Sequence, residues 1–407
     1  MEEQKCRNIE SILTEKHLKT IMHRASLDGW KFLGYDVKPA SIGLAGFLGD
    51  HFKIVVHLQN AGITKKLYLF AKSMPLLNKP KADFITDYNF FRRENLVYKL
   101  FEDMGVTDSD NWCTKAYIHT DTMLVLPDLS ILGYKTVPTE QFFDLKHALI
   151  AVKSLAQFHA KYACYEANQQ KTIYEDHKEV LKESAFIDAP WLRAAAKLTC
   201  SLLREFSTKT IDEDTLANLF LKACDDLTVS KDSINVILHR DLWTNNILFR
   251  HEDDEPKEAV LVDFQCIRYG PPAFDLMILL YLTTTKQFRE FHEKEVFNHY
   301  YTVFTQYLDD TMKGKLKDYN YGRWDFFNWC ERARMFAMME AMAIFPFVLM
   351  DPSLAEKTFD DPDTFKKHVE EDRCKPVLDY ARQSKFYREK MLEVSEEFVD
   401  RYHLKRL

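Results

Sequence analysis

Residues 236–265 read VILHRDLWTNNILFRHEDDEPKEAVLVDFQ. The apolar run Val236 to Leu238 delivers His239, Arg240 and Asp241 to a turn, after which Asn245, Asn246 and a second run, Ile247 to Phe249, lead into a charged hairpin. The return strand, Ala259 to Val262, ends on Asp263. Adjacent antiparallel strands bring Asp263 back beside Asp241 and Asn246, so that two carboxylates and a carboxamide face one point. Hard oxygen ligands of this kind suit Mg²⁺ shared with substrate phosphates, and an unshared carboxylate beside them suits proton abstraction from a hydroxyl. Single Asp and Asn residues commonly do no more than shape a turn. Turn chemistry alone does not call for His-x-Asp, a following Asn and a strand-terminal Asp together.

The order H-R-D-x-x-x-x-N, then a strand and D-F-x, is the catalytic-loop and metal-binding arrangement of kinases, with Gln265 where protein kinases carry Gly. Only Phe264 to Pro272 separates Asp263 from the apolar helix predicted from Phe274 to Leu282, too little for the activation segment of a protein kinase. Asp275 in its first turn has two open roles, acceptor of catalytic-loop N–H groups or favourable helix N-terminal charge.

Upstream, helical spacing from Ile9 to Leu27 gives way to three runs with strand character, Phe32 to Leu44, His51 to Gln59 and Lys66 to Ser73. Gly43, Gly46 and Gly49 bear on the first turn, which is either an ordinary hairpin or a cover for nucleotide phosphates. Alternation puts Tyr68, Phe70 and Lys72 on one face of the third strand. The helix predicted from Asp83 to Phe101 carries Phe90, Glu94, Val97 and Phe101 on one stripe. Burying Glu94 unpaired would be costly, so a salt bridge to Lys72 is expected, against the alternative of two solvated side chains. Lys115 to His119 and Thr122 to Leu126 complete a five-stranded sheet and run into LVLPDLS, where Leu126, Pro127, Asp128 and Leu129 are hinge candidates for an adenine edge.

Beyond Thr139 the pattern is helical: Gln141 to Ala167, Trp191 to Phe206, Asp212 to Leu227, Phe288 to Leu308, Trp324 to Met350 and Asp363 to Leu404. His159 reads as a packing residue, and Met335 to Met350, containing Glu340 and Pro346, as a buried helix. Trp191, Tyr321, Trp324, Phe326, Phe327 and Trp329 are either core or the wall of an apolar pocket. The 407 residues allow two lobes, and the net charge of -7 argues against nucleic acid or anionic lipid as partner. The 8 cysteines show no CxxC pairing, which fits reduced thiols in a cytoplasmic protein. Neither a signal peptide nor a membrane span is expected.

On HRDLWTNNILF, VDFQ with RYGPPAFDL, LYLFAKSMP, FFRRENLVY, LVLPDLS and LAQFHA, the chain resembles the ecdysteroid kinase-like family, which is related to choline kinases and aminoglycoside phosphotransferases. The resemblance covers nearly the whole length. It implies an α+β, bilobal protein-kinase-like fold, with a nucleotide-binding sheet and helix in residues 1–128 and a mostly helical lobe in 129–407. It further implies phosphate transfer from ATP to a hydroxyl of a small molecule, an ecdysteroid or another lipophilic alcohol. Asp241 is then base or orienter, Asn246 and Asp263 hold Mg²⁺, Lys72 contacts the phosphates and Glu94 positions Lys72. Gly46, Gly49, Leu126, Asp128 and Leu129 complete the expected nucleotide contacts. Arg240 stands where many relatives have Gly, and Pro127 where the hinge usually has Glu. A protein kinase, or a pseudokinase binding nucleotide or ligand without turnover, are the alternatives.

Overall fold

In the computed structural model, residues 6, 9, 13–40, 48–107 and 109–404 are described. The helix α1 (Glu15–Arg24) lies within the stretch Ile9 to Leu27 that its periodicity marks as helical. The Thr14 hydroxyl caps its start by accepting from the His17 N–H (3.3 Å), and Ser26 ends the turn beyond it at φ 57°. Three antiparallel strands follow as a meander, β1 (Lys31–Pro39), β2 (Asp50–Asn60) and β3 (Ile63–Ser73). The period of two sorts β2: Phe52, Ile54, Val56 and Leu58 are buried and cluster with Leu18 and Ile21 of α1. Phe70 and Lys72 leave the opposite face of β3, where Phe70 packs on the main core.

The stretch read as one helix from Asp83 to Phe101 is two, α2 (Lys79–Asp87) and α3 (Phe90–Asp103). Asn89, left-handed at φ 58°, breaks them. The short β4 (Ile118–His119) and β5 (Met123–Pro127) finish a sheet ordered β1-β2-β3-β5-β4. Strand β6 (Tyr134–Thr136) leads to the long α4 (Leu145–Ala167), then α5 (Ile173–Leu181), which sequence periodicity did not reveal, α6 (Pro190–Phe206) and α7 (Glu213–Ala223).

The stretch that opened the reading forms β7 (Val236–Leu238), β8 (Ile247–Glu252) and β9 (Glu255–Leu261). Strands β8 and β9 pair antiparallel with Ile247 opposite Leu261, and β10 (Arg268–Gly270) pairs with β7. Next come α8 (Ala273–Thr283), α9 (Lys286–Gln306), α10 (Asp310–Asp318), α11 (Arg323–Val348) and α12 (Pro352–Phe359). Residues Asp363 to Leu404, expected as one helix, divide into α13 (Cys374–Gln383) and α14 (Lys385–Tyr402), because Ser384 restarts the helix by capping the Tyr387 N–H (3.2 Å). Helix α8 is buried along its whole length and packs on α11. Among the described residues no single helix is long and apolar enough to cross a membrane. A small sheet-and-helix half set against a larger helical half is the bilobal kinase-like architecture.

Candidate active site

Phe264, fully buried, is where the two halves of the chain meet. Its ring lies 5.5 Å from Phe101 of α3, 5.5 Å from Phe158 of α4 and 4.9 Å from His239, centroid to centroid. Burying a phenylalanine is worth about 1.5–3 kcal/mol. The more specific consequence is positional: the Phe264 N–H donates to Glu94 Oε1 (3.1 Å), tying α3 to the segment that carries Asp263.

Lys72 is the centre of the charge cluster. Its Nζ donates to Asp263 Oδ1 (2.6 Å), Glu94 Oε2 (2.8 Å) and Gln265 Oε1 (2.8 Å). Burial alone would discharge this amine, but the Asp263 and Glu94 carboxylates more than reverse that and raise its pKa, so it stays charged. Gly49, at φ 123°, lies against the lysine stem. A Cβ there would stand 3.2 Å from Lys72 Cγ, so a side chain at this position would push the ammonium off its partners. Gly46 lies outside the described residues.

The catalytic-loop stretch is held by its backbone. Asp275, buried at the start of α8, accepts from the His239 N–H with Oδ2 (2.5 Å) and from the Arg240 N–H with Oδ1 (3.0 Å), the first of the two roles open to it. His159 joins the same network as a packing residue, with one ring nitrogen 3.1 Å from Asp275 Oδ2 and the other 2.7 Å from the Tyr300 hydroxyl. Asn246 Nδ2 donates to the Asp241 carbonyl (2.8 Å) and to Asp241 Oδ2 (3.0 Å). The Val262 N–H donates to the Asn246 carbonyl (3.1 Å), which sets the end of the return strand beside Asn246. Asp241 is pushed up to about 8, first by burial and then by the neighbouring Asp263 charge, against the pull of Lys72 and Asn246. A carboxylate that basic is suited to take a proton from a hydroxyl near neutral pH.

Two aspartates and one carboxamide are thus gathered at one place, although among the described residues no group of three His, Cys, Asp or Glu that could by itself hold a metal ion is found. Such an open oxygen set fits a hard divalent cation that completes its shell with phosphate oxygens and water.

Of the hinge candidates, Leu126 pairs with Phe70 of β3, and the Asp128 N–H donates to the Tyr68 carbonyl (3.0 Å). The Asp128 carboxylate is taken by Lys53 Nζ (3.0 Å) and by the Ser130 hydroxyl (2.6 Å), and Leu129 is buried. These residues stand at the end of β5 beside β3, and none of them lines the cavity described next.

That cavity, about 120 Å³ and open at one side, reaches Asp241, Asp263 and Gln265. Its wall is aromatic, including Phe90, Phe186, Trp191, Trp243 and Phe347. Trp191 is the one member of the aromatic set singled out in the helical half that lines it; Phe326 and Trp329 are core and Trp324 is 74% exposed. Arg240 and Glu340 line it as well, and spacing alone did not mark either as a site residue. The available signal for Glu340 was one carboxylate in an otherwise apolar helix. Arg240 adopts φ 64°, a conformation that glycine takes without strain and that a side chain rarely adopts.

Over 171 residues the chain is 27% identical to an uncharacterized kinase-like protein of Caenorhabditis elegans, a match spanning 41% of this chain and 43% of that relative. Among solved structures it is similar to an ADP-bound aminoglycoside phosphotransferase (14% identity, TM-score 0.34, covering 80% of this chain and 99% of that one). It is also similar to a microcompartment-associated aminopropanol kinase (10% identity, TM-score 0.34, covering 84% and 98%). The sequence profile of the ecdysteroid kinase-like family matches residues 44–312, and the chain belongs to that family.

Proposed function

We propose that the protein transfers the terminal phosphate of ATP to a hydroxyl of an apolar small molecule, an ecdysteroid or another lipophilic alcohol. The observation that carries this reading is that Asp241 and Asp263 both open onto the aromatic-walled cavity. In this reading the acceptor's ring system fills the cavity and its hydroxyl meets Asp241. The hydroxyl oxygen bonds to the terminal phosphorus, the bond from that phosphorus to the bridging oxygen breaks, ADP leaves, and the hydroxyl proton passes to Asp241. Lys72, held by Glu94, faces the phosphates. Asn246 and Asp263 would hold Mg²⁺, which when bound neutralises phosphate charge. Gly46 and Gly49 cover the phosphates, and Leu126, Asp128 and Leu129 form the adenine side of the cleft. The division of labour falls between residues 1–128 and 129–407, and ATP as donor goes with a cytoplasmic site of action.

The test is a transfer assay of the purified protein with ATP and Mg²⁺ against hydroxylated steroids and hydroxylated plant toxins, read by gain of one phosphate in the product mass. Transfer to at least one apolar alcohol, and none to peptides, is the expected result. Nucleotide binding with no transfer to any acceptor overturns it in favour of a binding protein.

A further inference from the structure

The proposed transfer leaves two buried ionisable groups of the cavity without a task. The Arg240 guanidinium lies over the rings of Phe336 (4.5 Å) and Phe186 (5.1 Å). Among the described residues its one ionic partner is Glu183 Oε2 at 3.5 Å, and its Nε and Nη2 have no hydrogen-bond partner. Glu183 is shared, since Arg268 Nη2 also donates to it (3.1 Å). Glu340 reaches the same cavity from α11, 2% exposed, and its Oε2 is unpartnered too. Its carboxyl is held well above the usual range by burial, with Arg240 nearby opposing. An unpartnered carboxyl oxygen thus faces the same cavity as the N–H groups that Arg240 has to spare.

Buried donors of this kind are rarely left unsatisfied in a folded protein, because each costs the desolvation that a hydrogen bond would have offset. Aromatic walls cannot satisfy them. An oxygen on the molecule that fills the cavity can.

We infer that Arg240 and Glu340 form a specificity subsite for a second oxygen on the acceptor, so that this chain selects apolar alcohols bearing a further hydroxyl or carbonyl over those with a single hydroxyl. This inference deepens the proposed function, yet it concerns binding and is measurable without phosphate transfer. Trp191 and Trp243 in the cavity wall give an intrinsic fluorescence signal for that purpose.

The probes are androstanol, androstanediol and a hydroxyandrostanone, titrated against the 407-residue protein without nucleotide. The two probes with a second oxygen bind about tenfold or more tightly than androstanol, the factor expected for one satisfied buried hydrogen bond. Glu340→Leu removes the unpartnered carboxyl and fits an apolar neighbourhood; it brings the ratio close to one while androstanol binds as before. Glu340→Gln, which keeps hydrogen-bonding atoms, retains part of the preference, and an unchanged melting temperature shows that both variants fold. Equal affinity of the three probes for the native protein, as an ordered water between Arg240 and Glu340 would give, overturns the subsite. So does failure of all three to bind, or a preference that survives Glu340→Leu. Transfer assayed in parallel keeps the two ideas apart: preference without transfer rejects the kinase reading alone, and transfer without preference rejects the subsite alone.

Discussion

At the scale of single residues, the charge cluster makes each side chain's task separable. Under the proposed function, Asp241→Asn removes the proposed base and Asp263→Asn removes a charge that Lys72 pairs with and that the proposed cation would share. Each is expected to abolish transfer with the fold intact, checked by product mass and by circular dichroism. Glu94→Gln is a different case, because Lys72 keeps Asp263 and Gln265 as partners. The lysine loses its orientation without losing its charge, and transfer falls by about 10- to 100-fold. Native activity in the Glu94→Gln protein would remove Glu94 from the site. Lys72, Glu94, Asp241, Asn246 and Asp263 were legible as a chemical set because motif order and strand alternation both constrain them. Arg240 and Gln265 were legible only as departures from a pattern, since their work depends on neighbours far away in the chain. At Arg240 the left-handed backbone costs a side chain about 1–2 kcal/mol. That strain sits one residue before Asp241, anchored by the two N–H groups on Asp275.

At the scale of elements, the α2–α3 break shows what periodicity cannot convey. The apolar stripe of α3 was read correctly from Phe90 onward, and Glu94 with it, but Tyr88 and Asn89 fit a helical pattern as readily as a break. The break is a matter of backbone: Asn89 is left-handed at φ 58°, and its Oδ1 accepts from Arg92 Nη1 (3.0 Å). Asparagine tolerates this conformation where most residues do not. Asn89→Ala is therefore expected to lower stability by about 1–2 kcal/mol, whereas Asn89→Gly leaves it nearly unchanged. Urea denaturation midpoints of the two variants decide the point, and equal losses would mean that the hydrogen bond to Arg92, not the backbone, sets the break. The same reasoning explains why Asp363 to Leu404 read as continuous: a serine inside a helical pattern carries no mark of being a cap.

At the scale of the whole molecule, segments far apart in the chain are tied to the helices α2 and α3 by buried polar side chains. Arg93, beside Glu94 on α3, donates to the Val180 carbonyl (2.9 Å), the Lys182 carbonyl (3.1 Å) and Ser184 Oγ (2.9 Å), so α3 grips the turn after α5. Sequence reading found a mostly helical half but not where its helices dock on α3, because docking is carried by residues that look like ordinary surface charges. Lys81 of α2 is a second such tie, almost fully buried with its Nζ 2.7 Å from Asp360 Oδ1. Asp360→Leu strands that ammonium and is expected to cost about 3–5 kcal/mol, most of it recovered in the double variant Lys81→Met/Asp360→Leu. A calorimetric comparison of the single and double variants tests this.

The third tie is Glu183, on the turn that Arg93 grips. Burial would raise its pKa, but Arg268, Arg240 and the Ala185 and Phe186 N–H groups together hold it well below the ordinary 4.5. A carboxyl depressed in the folded state contributes stability that is fully present above its unfolded pKa and is lost as pH falls toward the folded one. Glu183→Gln should therefore be most destabilised relative to the native protein above about pH 4.5, with the gap narrowing as pH falls below it. Melting temperatures from pH 7 down to about pH 3 measure this, and a gap that stays constant across that range would show that Glu183 acts through its hydrogen-bonding shape and not its charge.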